Sequence, residues 1–171
     1  MSAAPPLASI PVGVLVERSK GLTQWTDYLW RPTEVLTGEP ETPEWTKLSG
    51  DDDRAVFFAG RAAIELYRTE TPNYRENLES GTPQLWVGLR PSDGEPPYEL
   101  IGVTADPAEG EAMTEAGENV VEPIPMPDTV YDAVAAFVSE HNFERKFVKR
   151  KRDRANPDSL GRRAPVKGDR A

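Results

Sequence analysis

The sequence predicts an α+β domain: five or six mostly antiparallel strands, as a rolled sheet or partial barrel, followed by two short helices and a basic tail. Two observations carry that expectation. Apolar residues recur with the period of strands over much of residues 10–104, and the pattern turns helical after residue 105. No internal repeat interrupts this order, so strands come first and helices after, without the alternation a parallel sheet needs.

Ile10, Val12, Val14 and Val16 alternate with Pro11, Gly13 and Leu15, which predicts a first strand ending in a turn at Gly21. Tyr28-Leu29-Trp30-Arg31 and Val35-Leu36 predict a second, stopping at Gly38-Glu39-Pro40. Pro32 has no N–H to donate, so that strand belongs at an edge or beside a bulge. Glu39 to Asp53 is rich in Pro and Asp and reads as a loop, with Trp45 and Leu48 as anchors onto the core. Two apolar sets, Val56/Phe58 and Ala62/Ile64/Leu66, flank Gly60 and predict one long bent strand or two short ones. Thr71-Pro72 opens a short segment, Asn73 to Leu78, of one or two helical turns. Gln84 to Arg90 is the most strand-like run of the chain; Pro91-Ser92-Asp93-Gly94 ends it, and Tyr98 to Thr104 is its hairpin partner.

Asp106-Pro107-Ala108-Glu109 combines a capping oxygen, Pro at the first helical position and an acid three residues past the cap. Ala108, Ala112, Met113 and Ala116 would form a narrow apolar stripe, with Gly117 ending the helix. Val120-Val121 is a short extended piece before the rigid, non-helical Pro123-Ile124-Pro125-Met126-Pro127. Asp128 then caps a second helix whose inner face is Val130, Val134, Phe137, Val138 and His141.

Within 171 residues the charge divides sharply: residues 1–143 hold 9 basic and 25 acidic side chains, a net of −16, while 144–171 hold 11 basic and 4 acidic, a net of +7. The organisation that follows is a flexible N-terminus over 1–9, a folded acidic domain over 10–143, and a basic tail over 144–171 too poor in apolar residues to build a core and expected to be disordered. The chain has no Cys and one His, which excludes a disulfide framework, a thiolate or multi-histidine metal site, a cysteine nucleophile and a cysteine-held iron–sulfur cluster. No apolar run approaches a membrane span of about 20 residues, and the start lacks the features of a signal peptide; a soluble, cytoplasmic protein is expected. Sequence leaves the oligomeric state open.

No catalytic constellation stands out. The glycines sit at turns rather than in the cluster a phosphate cradle needs. Asp51-Asp52-Asp53 lacks the turn glycine and terminal Glu of a calcium loop and reads as solvated. His141 reads as a packing or capping residue, and no pair among 29 acids is marked out for acid–base work. Neither a metal nor a cofactor is expected. Trp25, Trp30, Trp45 and Trp86 read as core. Tyr67, Arg68, Tyr74, Arg75 and Asn77 are dense in aromatic, guanidinium and amide groups just after a strand and could line a cleft for a small anionic ligand; an ordered turn is the equal alternative. The tail, centred on Lys149, Arg150, Lys151 and Arg152, could meet nucleic acid, anionic lipid, an acidic protein or the chain's own acidic body. The net charge of the body would repel a polyanion, so a protein partner or self-docking ranks above nucleic acid.

Several stretches, taken in order, resemble the bacterial domain-of-unknown-function 3305 family. They are Ile10 to Arg18, Trp30-Arg31-Pro32, Leu66-Tyr67-Arg68 with Tyr74 to Leu78, Trp86 to Arg90, Thr104 to Glu109, Pro125-Met126-Pro127 and, most distinctively, Phe147-Val148-Lys149-Arg150-Lys151-Arg152-Asp153. The resemblance covers about residues 9 to 154. It implies a neighbourhood of formate dehydrogenase and other molybdenum enzymes. Some members carry the label of a molybdopterin-guanine dinucleotide biosynthesis protein. That label implies a guanylyltransferase with a glycine-rich nucleotide loop near the N-terminus, which this sequence lacks. The expectation is therefore a non-enzymatic accessory or maturation protein for a molybdenum-dependent oxidoreductase, formate dehydrogenase foremost, acting by protein binding with the basic tail as tether. A cofactor-handling domain with its cleft near residues 67–77 is the alternative.

Overall fold

The computed structural model describes residues 4–21, 28–38 and 40–141. Its elements run β1 (Ala8–Lys20), β2 (Tyr28–Thr37), β3 (Thr46–Gly50), β4 (Arg54–Leu66), α1 (Thr71–Leu78), β5 (Gln84–Pro91), β6 (Tyr98–Thr104), α2 (Pro107–Glu115), β7 (Val120–Pro125) and α3 (Asp128–His141). The α+β class and the antiparallel pairing are as the sequence predicts. The strands number seven and form two sheets, ordered β2-β1-β4-β3 and β6-β5-β7. β4 runs beside β6 and β2 beside β7, but no ladder joins them, so the barrel stays open at both seams.

Alternation places the core between the sheets. Val12, Val14 and Val16 of β1 are fully buried, with Ile64 and Leu66 of β4 beside them and Leu85, Val87 and Leu89 of β5 opposite. α3 adds Val130, Val134, Phe137 and Val138, the face its period predicted. Each of these side chains contributes roughly 1.5–3 kcal/mol on burial. On the other face of β1, Phe58 lies against Gly13, where a Cβ would come within 2.8 Å of its ring.

Three bulges interrupt the larger sheet, in β4, β2 and β3. β4 is one bent strand: Val14 pairs with Gly60 and Leu15 with Phe58, leaving Ala59 as the extra residue, and Gly60 adopts φ +145°. In β2 the extra residue is Thr33, next to Pro32, in a strand on the edge of its sheet. β7 extends the short piece at Val120 through Pro125, and its two prolines lie on an edge strand paired only to β5.

Two local expectations need correction. Residues 46–50 form an edge strand rather than loop, and Leu48 sits at its bulge with 48% of its surface exposed instead of anchoring the core. The alanine stripe of α2 does not pack: Ala108, Ala112 and Ala116 are exposed. The helix lies down on β5 through Gly110, where a Cβ would meet Trp86 Cγ at 2.5 Å, and through Met113 over Gly88. A glycine lets the backbones approach more closely than any alanine face could.

Buried polar bonds fasten the helices. The Asn77 amide nitrogen donates to the carbonyls of Gln84 (2.8 Å) and Ala105 (3.0 Å), and its oxygen accepts from the Gln84 amide (3.1 Å). Asp106 caps α2 by accepting from the Ala108 amide (2.9 Å), and it also accepts from Asn73 of α1 (3.0 Å). The predicted capping box has a relay in it: the Asp106 amide donates to the Thr104 hydroxyl, which donates to Glu109 at 2.7 Å. Replacing Asn77 with Ala orphans three main-chain groups in the interior and should cost about 2–4 kcal/mol of stability by chemical denaturation. A loss below about 1 kcal/mol would contradict this role.

Candidate functional site

The inner row of β1 changes character along its length. Val12, Val14 and Val16 continue into Arg18 and Lys20, which cannot fill an aliphatic core. At this end rings take over. Tyr28 and Trp30 of β2 pair with Lys20 and Arg18, and Phe57 of β4 pairs with Val16. The Arg18 guanidinium lies 4.3 Å from the Tyr28 centroid, 5.3 Å from Phe57 and 5.9 Å from Trp30. One Nη donates to the Asp51 carbonyl (3.3 Å), while the buried Nε has no hydrogen-bond partner among the described residues. Ring faces therefore offset much of the cost of holding this cation.

Trp30 is the hub. Its ring lies 5.5 Å from Phe57, 5.9 Å edge-on from Trp45 and 6.4 Å from Tyr98 of the second sheet. Trp45 adopts φ 59°, a left-handed conformation that a bulky residue takes only when its surroundings hold it there. Here the Phe58 carbonyl binds its amide, and Trp30 and Phe57 hold its ring.

Trp30 and Tyr98, with Tyr28, line a cleft of about 690 Å³ between the sheet ends. Lys20, Tyr28 and Trp30 line it from one side, Pro91, Ser92, Pro97 and Tyr98 from the other, and Glu95 and Glu118 add carboxylates. Ring faces and prolines flanked by charges of both signs suit the capture of a protein side chain or an extended peptide. Trp30 and Trp45, expected as core, both pack on it, and Trp30 also lines this cleft; Trp86 is half-buried beneath Gly110, and Trp25 lies outside the described residues. The arginine and lysine that break the valine row were the sequence signal for this cleft, and periodicity reasoning passed over them.

The residues expected around 67–77 take different places. Tyr74 and Asn77 are buried, and both engage the main chain, Tyr74 through its hydroxyl oxygen, which accepts from the Tyr67 amide at 2.9 Å. Arg68 is exposed and Arg75 half-buried on α1. Tyr67 faces outward, donates to Glu65 (2.7 Å) and lines two adjoining grooves beside α2, one with Glu65 and Glu109, the other with Glu70, Asp106 and Glu109. That bond to Glu65 holds the Tyr67 phenol above its usual value, with the charges of Glu65 and Glu109 adding to it. Burial pushes Tyr74 up to about 12; the Tyr67 amide opposes this, and Asp106, Glu70 and Glu109 reinforce it.

His141 stacks on Phe137 with centroids 4.5 Å apart, the packing role expected of it. Asp51 accepts from the amides of Asp53 (2.9 Å) and Arg54 (3.1 Å), which closes the β3–β4 turn and holds its carboxyl below the usual range. Among the described residues no group of three or more His, Asp and Glu could hold a metal ion, and no helix is long and apolar enough to cross a membrane. Lys149, Arg150, Lys151 and Arg152 lie outside the described residues.

Compared with known proteins, the chain matches the family model described as a protein of unknown function (DUF3305) over residues 11–151. No curated protein and no solved structure matches it.

The Tyr74 shift has a stability consequence. A phenol raised from 10.0 to about 12 contributes in full below pH 10, and that contribution is lost as pH rises toward 12. Stability measured from pH 8 to 12 should fall more steeply in the wild type than in Tyr74→Phe. Parallel curves would refute the shift.

Proposed function

The chain belongs to the DUF3305 family, and from that premise we propose that it is a non-enzymatic accessory or maturation protein that works by binding another protein. The observation that supports this reading is the ring-lined cleft. A tryptophan contacted by three aromatic residues, beside an arginine held on ring faces, is the composition of an interaction hot spot. Tyr28, 36% exposed at the start of β2, extends the apolar contact outward.

The client we propose is a subunit of a molybdenum-dependent oxidoreductase, formate dehydrogenase first, as the family resemblance implies. The cleft would recognise the client, and the basic tail at Lys149, Arg150, Lys151 and Arg152 would steer encounter electrostatically. We propose that it does this work in the cytoplasm.

Affinity capture from the native host tests this reading, with eluates analysed for protein identity and molybdenum. The full chain should retain a molybdoenzyme subunit, and Tyr28→Ala, which alters an exposed ring, should retain it at least about tenfold less well. Capture of the same subunit in equal amount by both would remove the cleft from recognition. Failure of both to capture a molybdoenzyme would remove the proposed client. With the client in hand, Ala at the four tail positions should slow association while leaving dissociation nearly unchanged.

A further inference from the structure

Away from the ring-lined cleft, one strand edge stands open. β3 pairs with β4 only between Ala55 and Phe58, so from Arg61 to Leu66 β4 has β1 on one side and, among the described residues, no strand on the other. The facing strand, β6, pairs only with β5. Between them lies a groove of about 310 Å³ whose lining includes Arg61, Glu65, Tyr67, Gly102, Glu109 and Met113. Such an edge offers unpaired main-chain groups to an extended segment. At Gly102 an added Cβ would meet nothing within 4 Å, so the groove has room at that point.

We propose that this groove is the docking slot for the chain's own basic tail, residues 144–154. Charge and reach select this occupant. Glu65 and Glu109 line the groove, and Glu70 and Asp106 line the one adjoining it. The segment from Glu144 to Arg154 carries Arg145, Lys146, Lys149, Arg150, Lys151, Arg152 and Arg154. The described chain ends close by: the His141 ring stacks on Phe137, Phe137 lies 6.0 Å from Tyr74, and Tyr74 binds the amide of Tyr67 in the groove. Eight extended residues, 142–149, reach roughly 26 Å, enough to bring the first lysines to Glu65. Main-chain pairing to β4 would supply affinity, and alternate basic side chains would face the carboxylates. Docking here describes the free protein and does not depend on what the ring-lined cleft binds; a client steered by the tail would first have to draw it out of the groove, and the test needs only the isolated protein.

Zero-length carbodiimide cross-linking of the full chain, with a mixture of isotopically light and heavy protein, reads the contact directly. The expected result is amide links from Lys146, Lys149 or Lys151 to Glu65, Glu70 or Glu109 within one chain. They should weaken in 1 M salt, where the Debye length is about 3 Å. Gly102→Val should fill the groove without disturbing its neighbours and reduce those links. Glu65→Lys, at an exposed position, should reduce them about fivefold without a packing change. Links formed mainly between chains, links to acids remote from the groove such as Asp128, or yields unchanged by both variants would overturn the proposal.

Discussion

The side-chain amide of Asn77 makes three hydrogen bonds to the main chain of β5 and of the turn before α2, and much of the remaining geometry depends on them. An amide that donates twice and accepts once inside the protein fixes α1 in position and orientation together. With α1 fixed, Asn73 reaches Asp106, Asp106 caps α2, and Tyr74 sits against Phe137 of α3. All three helices are thus referred to one buried polar junction. The stretches Tyr74 to Leu78 and Thr104 to Glu109, which look like motifs on the page, meet here, and the residues among them that bond do so to each other and to the backbone.

The opposite end of the molecule has no such fastening. The valine row of β1 runs out at Arg18, the sheets part, and aromatic rings occupy the space that aliphatic side chains fill elsewhere. Rings on this scale bury large area with few rotatable bonds, so the surface can be shaped before a partner arrives. Trp45 in a left-handed conformation is consistent with that: the neighbours of this ring hold a backbone geometry that the isolated residue would leave. A fastened end and an open, ring-lined end suit the proposed binding role, since the first keeps the second in shape.

Much of this was legible in the residues. The Asp106-Pro107-Ala108-Glu109 cap was readable because its spacing is set by local geometry, and the face of α3 because one helix buries one stripe. Gly60 and Pro32 gave away a bend and an edge because those residue types have few other uses in a strand. Tertiary choices were harder. Nothing in five residues around Leu48 says that they pair with Val56 and Phe57, and the packing of α2 on a glycine depends on Trp86, 24 positions away. The split into two sheets is likewise set by which edges meet. The cleft was missed for a different reason: its signal is a break in a pattern, and Arg18 becomes meaningful only when Tyr28, Trp30 and Phe57 are brought around it.

The most direct test of recognition through this cleft is amide hydrogen exchange of the full chain with and without a purified formate dehydrogenase from the same host. Binding at the cleft predicts slowed exchange at residues 28–31, 92–95 and 98, with α1 and β5 unchanged because they are already protected in the free protein. Slowed exchange confined to other surfaces, or none at saturating client, would contradict it.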